Sequence, residues 1–338
     1  MKTHKIILAG CGNMAHTWLD YAFQRNNAEV VGVVDLNVKA ARALAESRSL
    51  QVPVFTALSD ALERTDATVV FDVTVPSAHK QVVTTALTGG CDVFGEKPIA
   101  ENFNDASEVV QTAEKTGRSY FVMQNRRYQK EIRAFKQLLD DQVIGQIGAV
   151  HADFFLGPHF GGFREAMKSP LIMDMAIHTF DQARFLTGAD AVSVYCHEYN
   201  PPGSWYEGDS SAVCIFEMSD GSVFTYRGSW SSAGHSTSWE ADWRVTGSKG
   251  SVRWNGSDDP ACEAIDESHP RGFMDYVKVV EPETTWFGRE GHFGCLDEMF
   301  AALEDERAAE TDCRDNLKSM EMVFKAMESA TSEKKIIF

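Results

Sequence analysis

The pattern of apolar and polar residues changes near residue 145. Before it, short continuous apolar runs alternate with stretches that are apolar at helical spacing. The runs predict strands at 5–9, 29–35, 52–55, 67–74, 91–95 and 119–123, and the other stretches predict helices at 18–23, 38–48, 56–64, 80–87 and 103–116. Continuous apolar runs are typical of strands buried on both faces. The first part of the chain therefore predicts an α/β domain with a doubly wound parallel sheet.

After Gly145 the strand-like stretches alternate between apolar and polar residues. They cover 147–155, 192–198, 212–218, 222–230 and 239–245, and helices are predicted at 172–186, 295–307 and 316–330. This pattern predicts an α+β domain built on a large, mostly antiparallel sheet with one packed and one open face. We expect domains at 1–124 and 125–338, with the C-terminal helix able to pack back on the first domain.

A glycine-rich turn separates the first predicted strand from the first predicted helix. It reads Gly10-Cys11-Gly12-Asn13-Met14-Ala15. Gly10 allows a tight turn, Gly12 lets the backbone approach a pyrophosphate, and the small Ala15 lets the helix pack on the strand. The helix start offers free N–H groups and a positive dipole end to phosphate oxygens. The pattern predicts a Rossmann dinucleotide-binding domain.

The second predicted strand ends in Asp35. A carboxylate at this position accepts hydrogen bonds from ribose hydroxyls and repels a 2′-phosphate. The order of strand, glycine turn, helix, strand and acid is more specific than a glycine pattern alone. We therefore expect NAD rather than NADP as the cofactor.

Composition narrows the classes of partner. The chain has 338 residues, of which 43% are hydrophobic and 24% charged, which is ordinary for a globular protein of about two domains. No apolar run reaches the roughly 18 residues of a membrane helix, and the first strand begins too early for a signal peptide, so we expect a cytoplasmic protein. A net charge of −17 disfavours nucleic-acid binding. Seven scattered cysteines without a CxxC pair predict reduced thiols.

Residues at the strand ends are the first candidates for chemistry, because ligands of parallel sheets bind beyond the carboxyl ends of the strands. These positions are 10–15, 35, 74–79, 96–98 and 124–126. Among them, Lys97 would face the crevice that holds a nicotinamide ring, where it could donate or accept a proton. The alternative is a solvated lysine before a turn.

Asp174 and His178 are four residues apart in an apolar helical stretch, and hence on one face. The pair could satisfy each other inside the core, or His178 could remove a hydroxyl proton as hydride leaves the carbon. A metal site with Asp181 lacks a further histidine or cysteine at ligand spacing, so we expect no metal. No GxSxG elbow is present, which disfavours a serine nucleophile.

Two loops rich in glycine and aromatic residues stand at 157–164 and 201–206. They include His159, Arg164 and Trp205. Such loops could line a sugar site, or they could serve packing and oligomer contacts, which is a common use of exposed aromatic side chains. Arg126 and Arg164 would suit a charged substrate, although arginines at loop ends are usually solvated or structural.

The chain resembles the Gfo/Idh/MocA oxidoreductases, the family of glucose–fructose oxidoreductase and inositol dehydrogenase. The resemblance rests on the glycine turn and on five further motifs in the expected order. These are Val75-Pro76-Ser77-Ala78-His79, with valine in place of the more usual proline, Glu96-Lys97-Pro98, Asp174-Met175-Ala176-Ile177-His178, His292-Phe293-Gly294-Cys295-Leu296 and Asp315-Asn316-Leu317.

The resemblance implies a role for each matching residue. Lys97 would contact nicotinamide and the reacting hydroxyl, His178 would be the general acid/base, and Asp174 would hold a sugar hydroxyl. The cofactor would be bound by Gly10, Gly12, Asn13, Met14, Asp35, Thr74, Pro76, His79, Glu96, Lys97 and Gln124. The substrate would be bound by Arg126, His159, Arg164 and Trp205.

The resemblance implies an NAD-dependent oxidoreductase acting on a sugar, an inositol or a sugar derivative, without fixing the substrate. Some relatives keep NAD bound and cleave glycosides by transient oxidation and elimination. Others are non-catalytic regulators that have lost the lysine or the histidine, both of which are present here. The family also implies a homodimer or homotetramer assembled through the open face of the second sheet.

Overall fold

The computed structural model describes residues 3–284 and 286–338, which divide into two compact units. The first unit comprises the chain up to Asn125 together with Gly291–Met320, and the second comprises Arg126–Glu290 and Glu321–Phe338. The prediction of a continuous second domain over 125–338 therefore differs from the structure, in which residues 291–320 belong to the first unit. No helix of the described residues is long and apolar enough to cross a membrane.

The first unit contains a parallel sheet. Its six strands among the described residues are β1 His4–Ala9, β2 Ala28–Val34, β3 Val54–Phe55, β4 Val69–Asp72, β5 Asp92–Gly95 and β6 Tyr120–Val122. The strand order is β3-β2-β1-β4-β5-β6, and every pair is parallel. This is the order of a Rossmann sheet, in which the strand sequence reverses between β1 and β4. The predicted doubly wound sheet is confirmed.

Helices connect these strands. They are α1 Asn13–Gln24, α2 Val38–Ser47, α3 Leu58–Arg64, α4 Pro76–Thr88 and α5 Phe103–Thr116. Their ends follow ordinary capping rules: the Asn37 side chain accepts hydrogen bonds at the start of α2, and Gly117 takes the left-handed conformation at the end of α5. Each helix begins beyond a strand end, which places the turns of this edge where a ligand binds.

An aromatic ladder explains why residues 291–320 belong to the first unit. Phe71, Phe94 and Phe121 stack across the neighbouring strands β4, β5 and β6. Phe300 of the later helix α8 (Gly291–Glu304) packs edge-on against Phe94, with ring centroids 4.8 Å apart. Phe300 is fully buried, so α8 covers one face of the sheet and completes its core.

The second unit is built on a larger sheet. Its nine strands among the described residues are β7 Ile147–Phe155, β8 Ala191–Tyr199, β9 Ser211–Met218, β10 Val223–Ser229, β11 Asp242–Gly247, β12 Gly250–Trp254, β13 Ala261–Ile265, β14 Val277–Val280 and β15 Ile336–Ile337. The order is β14-β13-β12-β11-β7-β10-β9-β8-β15. All pairs are antiparallel except β7 with β10, which confirms the mostly antiparallel sheet.

One face of this sheet is packed. Helix α7 (Ile177–Thr187) lies on it, and Phe180 makes edge contacts with Phe216 and Tyr226 of the sheet. The other face carries exposed apolar side chains at alternate positions, including Tyr195, Val213 and Ile215. The remaining helices are α6 Lys130–Asp140, in the second unit, and α9 Cys313–Ser332, whose residues up to Met320 belong to the first unit and whose later residues belong to the second.

The entry to α7 differs from the predicted regular helix. Residues Leu171–Ala176 form a π-helical turn that runs directly into α7. A π-turn widens the backbone spiral locally and is frequent at functional sites. Asp174 lies in this turn and His178 lies in the first turn of α7.

Candidate active site

The glycine turn of the first unit has the geometry that a pyrophosphate cradle needs. Gly10 has a φ of +95°, and a Cβ at this position would lie 2.6 Å from the carbonyl oxygen of Val73. Gly12 has open space where a Cβ would stand. It precedes α1, whose start has no capping side chain, so the N–H groups of its first turn, which includes Asn13 and Met14, are available to an anion.

Asp35 is held at the end of β2 by two main-chain donors. Its Oδ2 accepts a hydrogen bond from the Cys11 N–H at 2.8 Å, and its Oδ1 accepts one from the Asn37 N–H at 2.7 Å. The acid is thereby tied to the glycine turn. Burial and the Asp35 charge raise the pKa of the Cys11 thiol to about 12, so this thiol stays protonated at neutral pH.

A cavity of about 810 Å³ opens at this edge of the sheet. Its lining is mainly apolar and includes Gly12, Asp35, Leu36, Thr74 and Val82. The volume lies within the range of cofactor and small-molecule sites. The sequence placed Gly10, Gly12, Asp35 and Thr74 at one site, and the structure brings these four residues to the same cavity.

Glu96 is anchored beside the sheet by two side chains that are distant in sequence. The Trp18 indole donates a hydrogen bond to its Oε1 at 2.9 Å, and His292 Nε2 lies 3.9 Å from the same oxygen. Lys97 and the cis-linked Pro98 follow directly. The anchoring of Glu96 fixes the backbone from which the Lys97 side chain projects.

The other predicted cofactor residues occupy the same edge. Thr74 donates through its N–H and its hydroxyl to Asp72, Pro76 is the first residue of α4, and His79 lies buried in that helix. Gln124 follows β6 and is 1% exposed. Neither amide atom of Gln124 has a hydrogen-bond partner within the described part of the chain, so this carboxamide is available to a ligand amide.

In the second unit, Asp174 is paired with Arg164. The Arg164 Nε donates to Asp174 Oδ2 at 2.7 Å, and its guanidinium lies over the rings of Phe160 and Phe163. His178 is 8% exposed. The π-turn thus holds a carboxylate whose orientation is set by an arginine, one turn before a buried imidazole.

The two aromatic loops of the second unit are in contact. His159 stacks on Trp205 with ring centroids 3.8 Å apart, and the Trp205 and Tyr206 side chains both donate to the Pro158 carbonyl at 3.2 Å. Phe160 packs against Trp230 with centroids 5.2 Å apart. Aromatic walls of this kind suit the C–H faces of a sugar or polyol ring.

Arg126 is engaged by its own unit. Its guanidinium donates to the Trp239 carbonyl and to the Met175 sulfur, and it lies 3.7 Å from Glu240. Burial lowers the pKa of Arg126, and the Glu240 charge opposes that effect. The side chain is 12% exposed and has these protein partners, and a contact of Arg126 with substrate stays a prediction.

Asp181, considered with Asp174 and His178 as a metal ligand, forms a bidentate ion pair with Arg127. The two bonds measure 2.6 and 2.7 Å, and both side chains are buried. No group of three potential metal-ligating side chains is found among residues 3–284 and 286–338. The arrangement of Asp181 is that of a structural ion pair.

Comparison with known proteins identifies the family. Residues 4–124 match the model of the oxidoreductase family with an NAD-binding Rossmann fold, and residues 132–253 match the GFO/IDH/MocA C-terminal domain. The chain belongs to the Gfo/Idh/MocA oxidoreductase family. The first unit is therefore an NAD-binding domain, and the cavity that contains Asp35 and the glycine turn lies in it.

Several known proteins are similar to this chain over more than half of its length. An uncharacterized protein, y4oX of Sinorhizobium fredii, is 27% identical over 97% of this chain and 93% of its own. An inositol 2-dehydrogenase of an Arthrobacter species is 30% identical, over 57% of each chain. A solved oxidoreductase from Agrobacterium radiobacter, in complex with NAD⁺, L-tartaric acid and magnesium, has a TM-score of 0.85 at 19% identity over 99% of this chain and 98% of its own.

Some functional neighbours of the Gfo/Idh/MocA site were not assigned a site role from the sequence. Trp18 and His292 hold Glu96, and Asp72 holds Thr74. Glu240 neutralises Arg126. Asp72 lies two residues before Thr74, and His292 begins one of the motifs named from the sequence, whereas Trp18 and Glu240 lie outside those motifs.

Proposed function

We propose that the protein is an NAD-dependent dehydrogenase that moves a hydride between nicotinamide and a hydroxyl-bearing carbon of a polyol, sugar or sugar derivative. The observation that carries the proposal is that Arg164, from an aromatic loop, holds Asp174 in the π-turn, four residues before the buried His178 of α7. A carboxylate and an imidazole provide acceptors and a proton carrier for a hydroxyl-rich ring. The Arthrobacter relative, an inositol 2-dehydrogenase, supports a polyol.

Residues of the first unit would hold the cofactor. The main-chain N–H groups of the glycine turn and of α1 would bind the pyrophosphate, Asp35 would accept hydrogen bonds from the adenosine ribose, and Gln124 would pair with the nicotinamide amide. NAD would supply the hydride acceptor in the direction of oxidation. The carboxylate of Asp35 disfavours a 2′-phosphate, so we expect NAD to be preferred over NADP.

The remaining roles concern the proton of the reacting hydroxyl. Lys97 would hold that hydroxyl oxygen, His178 would take its proton during oxidation and return one during reduction, and Asp174 would orient a neighbouring hydroxyl. General acid–base assistance of this kind contributes roughly 10²- to 10⁴-fold to a rate. Arg164 would act through Asp174 by fixing the direction of its carboxylate.

The test is a panel of inositols, free sugars, sugar acids and matched glycosides, with NADH formation and glycone release followed in the same wells. We expect NADH to accumulate with one substrate group. Glycone release without NADH would instead identify an NAD-recycling glycosidase, and NADH binding without turnover across a broad panel would favour a regulator.

A lysine variant supplies the matched control. Lys97→Met should abolish turnover while NADH still binds, because only the group that holds the reacting hydroxyl is removed. Lys80→Met, which removes a lysine of the same unit paired with Asp105 and Glu108, should leave turnover unchanged. Full turnover by Lys97→Met would contradict the assignment.

We further propose that copies of the chain associate through the open face of the large sheet. Tyr195, Val213 and Ile215 are 37–46% exposed there and form an apolar surface of the kind that marks interfaces. Light scattering should give a dimer or tetramer, and Ile215→Lys should dissociate it. Val279→Lys, a change at an exposed valine of the distant strand β14, should leave the assembly intact.

A further inference from the structure

His79 has an unusual set of partners for a buried histidine. It is 1% exposed, and both ring nitrogens face main-chain carbonyl oxygens. Nδ1 lies 2.6 Å from the carbonyl oxygen of Pro98, and Nε2 lies 3.1 Å from that of Thr74. Both distances are those of hydrogen bonds.

These two contacts indicate how many protons the His79 ring carries. A carbonyl oxygen can only accept, and a neutral imidazole has one N–H and one lone pair. In either neutral tautomer, one nitrogen lone pair would therefore point at a carbonyl lone pair. Both contacts are hydrogen bonds only when each ring nitrogen carries a proton and the ring is a cation.

A counter-charge is close to His79. Asp72 ends β4 and is fully buried, and its Oδ1 accepts hydrogen bonds from the N–H and the hydroxyl of Thr74 at 3.1 and 2.5 Å. Its Oδ2 has no hydrogen-bond partner among the residues that the structure describes. Burial raises the pKa of Asp72, and the charge of His79 acts in the opposite direction. A buried carboxyl group stays ionised only when a cation lies nearby, which is the part that a charged His79 would play.

The two carbonyl groups belong to the two segments on which the site depends. Thr74 lies in the loop that lines the cofactor cavity, and Pro98 directly follows Lys97. His79 therefore joins the cavity loop to the lysine turn through a single ring. Because both ring nitrogens are engaged by the main chain, the imidazole supports these segments from inside the unit.

We propose that His79 is a positioning residue, a buried imidazolium balanced by Asp72, that fixes the Thr74 loop and the Lys97 turn at a set separation. The contribution to turnover rests on the proposed function of Lys97. The charge of the ring and the effect on cofactor affinity do not depend on that function.

The charge is tested directly by nitrogen NMR on protein labelled with ¹⁵N-histidine at pH 7.5, with the His79 signals assigned by their loss in His79→Gln. Two protonated nitrogens with similar chemical shifts are expected. One protonated and one unprotonated nitrogen, with widely separated shifts, would overturn the proposal. This measurement needs neither a substrate nor a cofactor.

Two variants separate the hydrogen bonds. The amide nitrogen of His79→Asn occupies the place of Nδ1 and keeps the Pro98 bond, whereas that of His79→Gln occupies the place of Nε2 and keeps the Thr74 bond. The Asn variant should weaken NADH binding, followed by nicotinamide fluorescence, about ten- to hundredfold. The Gln variant should bind NADH nearly as the parent does and lose kcat by a similar factor.

Val83→Ala is the matched control for loosening of α4. Val83 is fully buried one turn after His79 and takes no part in the site. The Val83→Ala variant should lower the melting temperature, but it should not reduce NADH affinity or kcat selectively as the two His79 variants do. Equal losses in all three variants would reduce His79 to a packing residue and overturn the positioning role. If no substrate is found, the proposed function fails, while the NMR and NADH results still decide the inference.

Discussion

The cofactor edge of the first unit and the π-turn region of the second unit are built in different ways. At the cofactor edge, main-chain geometry does the positioning: Gly10 sets a turn, α1 presents N–H groups, and main-chain donors hold Asp35. In the π-turn region, side chains position one another, as Arg164 does for Asp174.

The difference teaches which changes each region can tolerate. A site made from main-chain atoms depends on glycine and on strand ends, and it is insensitive to many side-chain changes. A site made from paired side chains can be altered one residue at a time, so substrate preference can change while the cofactor edge stays the same. The predictions test this contrast, beginning with the largest expected effect.

Replacing His178 of the second region with glutamine should cause the largest loss of activity. Removal of a general acid/base lowers kcat by about 10²- to 10⁴-fold, while NADH binding to the first unit should be unchanged. The measurement is steady-state turnover beside NADH fluorescence titration. His151→Gln, which removes a histidine that contacts Thr225 of a neighbouring strand, is the control. A comparable loss of kcat in both variants would show that His178 has no special role.

The glycine pair tests the main-chain design of the first region. Gly10→Ala places a Cβ 2.6 Å from the Val73 carbonyl at a positive φ, so it should cost about 1–3 kcal/mol of stability and weaken NADH binding roughly a hundredfold. Gly12→Ala meets no protein atom and should weaken binding alone, because the methyl group occupies the space that the pyrophosphate approaches. Thermal melting should distinguish the two, and a destabilised Gly12→Ala protein would contradict this account.

Arg164 and Asp174 test whether the second region works through pairs. Because Arg164 is 38% and Asp174 16% exposed, their attraction is partly screened, and we expect Arg164→Met to lower kcat/KM by about tenfold. The double variant Arg164→Met with Asp174→Asn should have a kcat/KM only slightly below that of Asp174→Asn alone, because Arg164 acts through the Asp174 carboxylate. Additive losses would mean that Arg164 contacts the substrate independently.

The smallest expected effect concerns Glu198 and the dependence of stability on pH. Burial raises its pKa to about 7, even though the Ser169 hydroxyl donates to its Oε2 at 3.0 Å. The folded state therefore holds a proton that the unfolded state has lost between about pH 4.5 and 7, so this group lowers stability as pH rises through that window.

Glu198→Gln removes this dependence. The variant should gain about 1–2 kcal/mol over the parent at pH 8 and almost nothing at pH 4.5, which thermal melts across the pH range would measure. Ser169→Ala serves as a comparison, because it removes only the hydrogen bond that opposes the effect of burial. A constant difference at every pH would assign the effect to packing.

Much of the fold could be predicted from the local pattern of apolar and polar residues. Strands such as β1 and β4 are continuous apolar runs, and they were predicted within a few residues. Strands β12 to β14 were not predicted, because they are short and β13 is made largely of small residues. The π-turn before α7 could not be predicted either, since apolar spacing cannot distinguish one extra residue in a turn from a regular helix.

The residues of the candidate site also fall into those that local sequence predicts and those that only the structure reveals. The glycine turn and Asp35 form one contiguous stretch of sequence, and the structure brings them to one cavity. The partners of Glu96 and Arg126 come from distant parts of the chain, and only tertiary packing brings them together. Sequence spacing identified Arg126 as a cation near the site, whereas its neutralisation by Glu240 depends on a contact across more than 100 residues.

The two-residue strand β15 has a consequence for aggregation. Ile336 and Ile337 pair with β8, and the Phe338 N–H donates to the Val192 carbonyl. These residues cover main-chain groups of β8 that would otherwise form the sheet edge. A strand edge with free hydrogen-bonding groups beside apolar side chains recruits strands from other molecules. Disruption of this pairing would expose that part of the β8 edge and favour association with strands of other molecules.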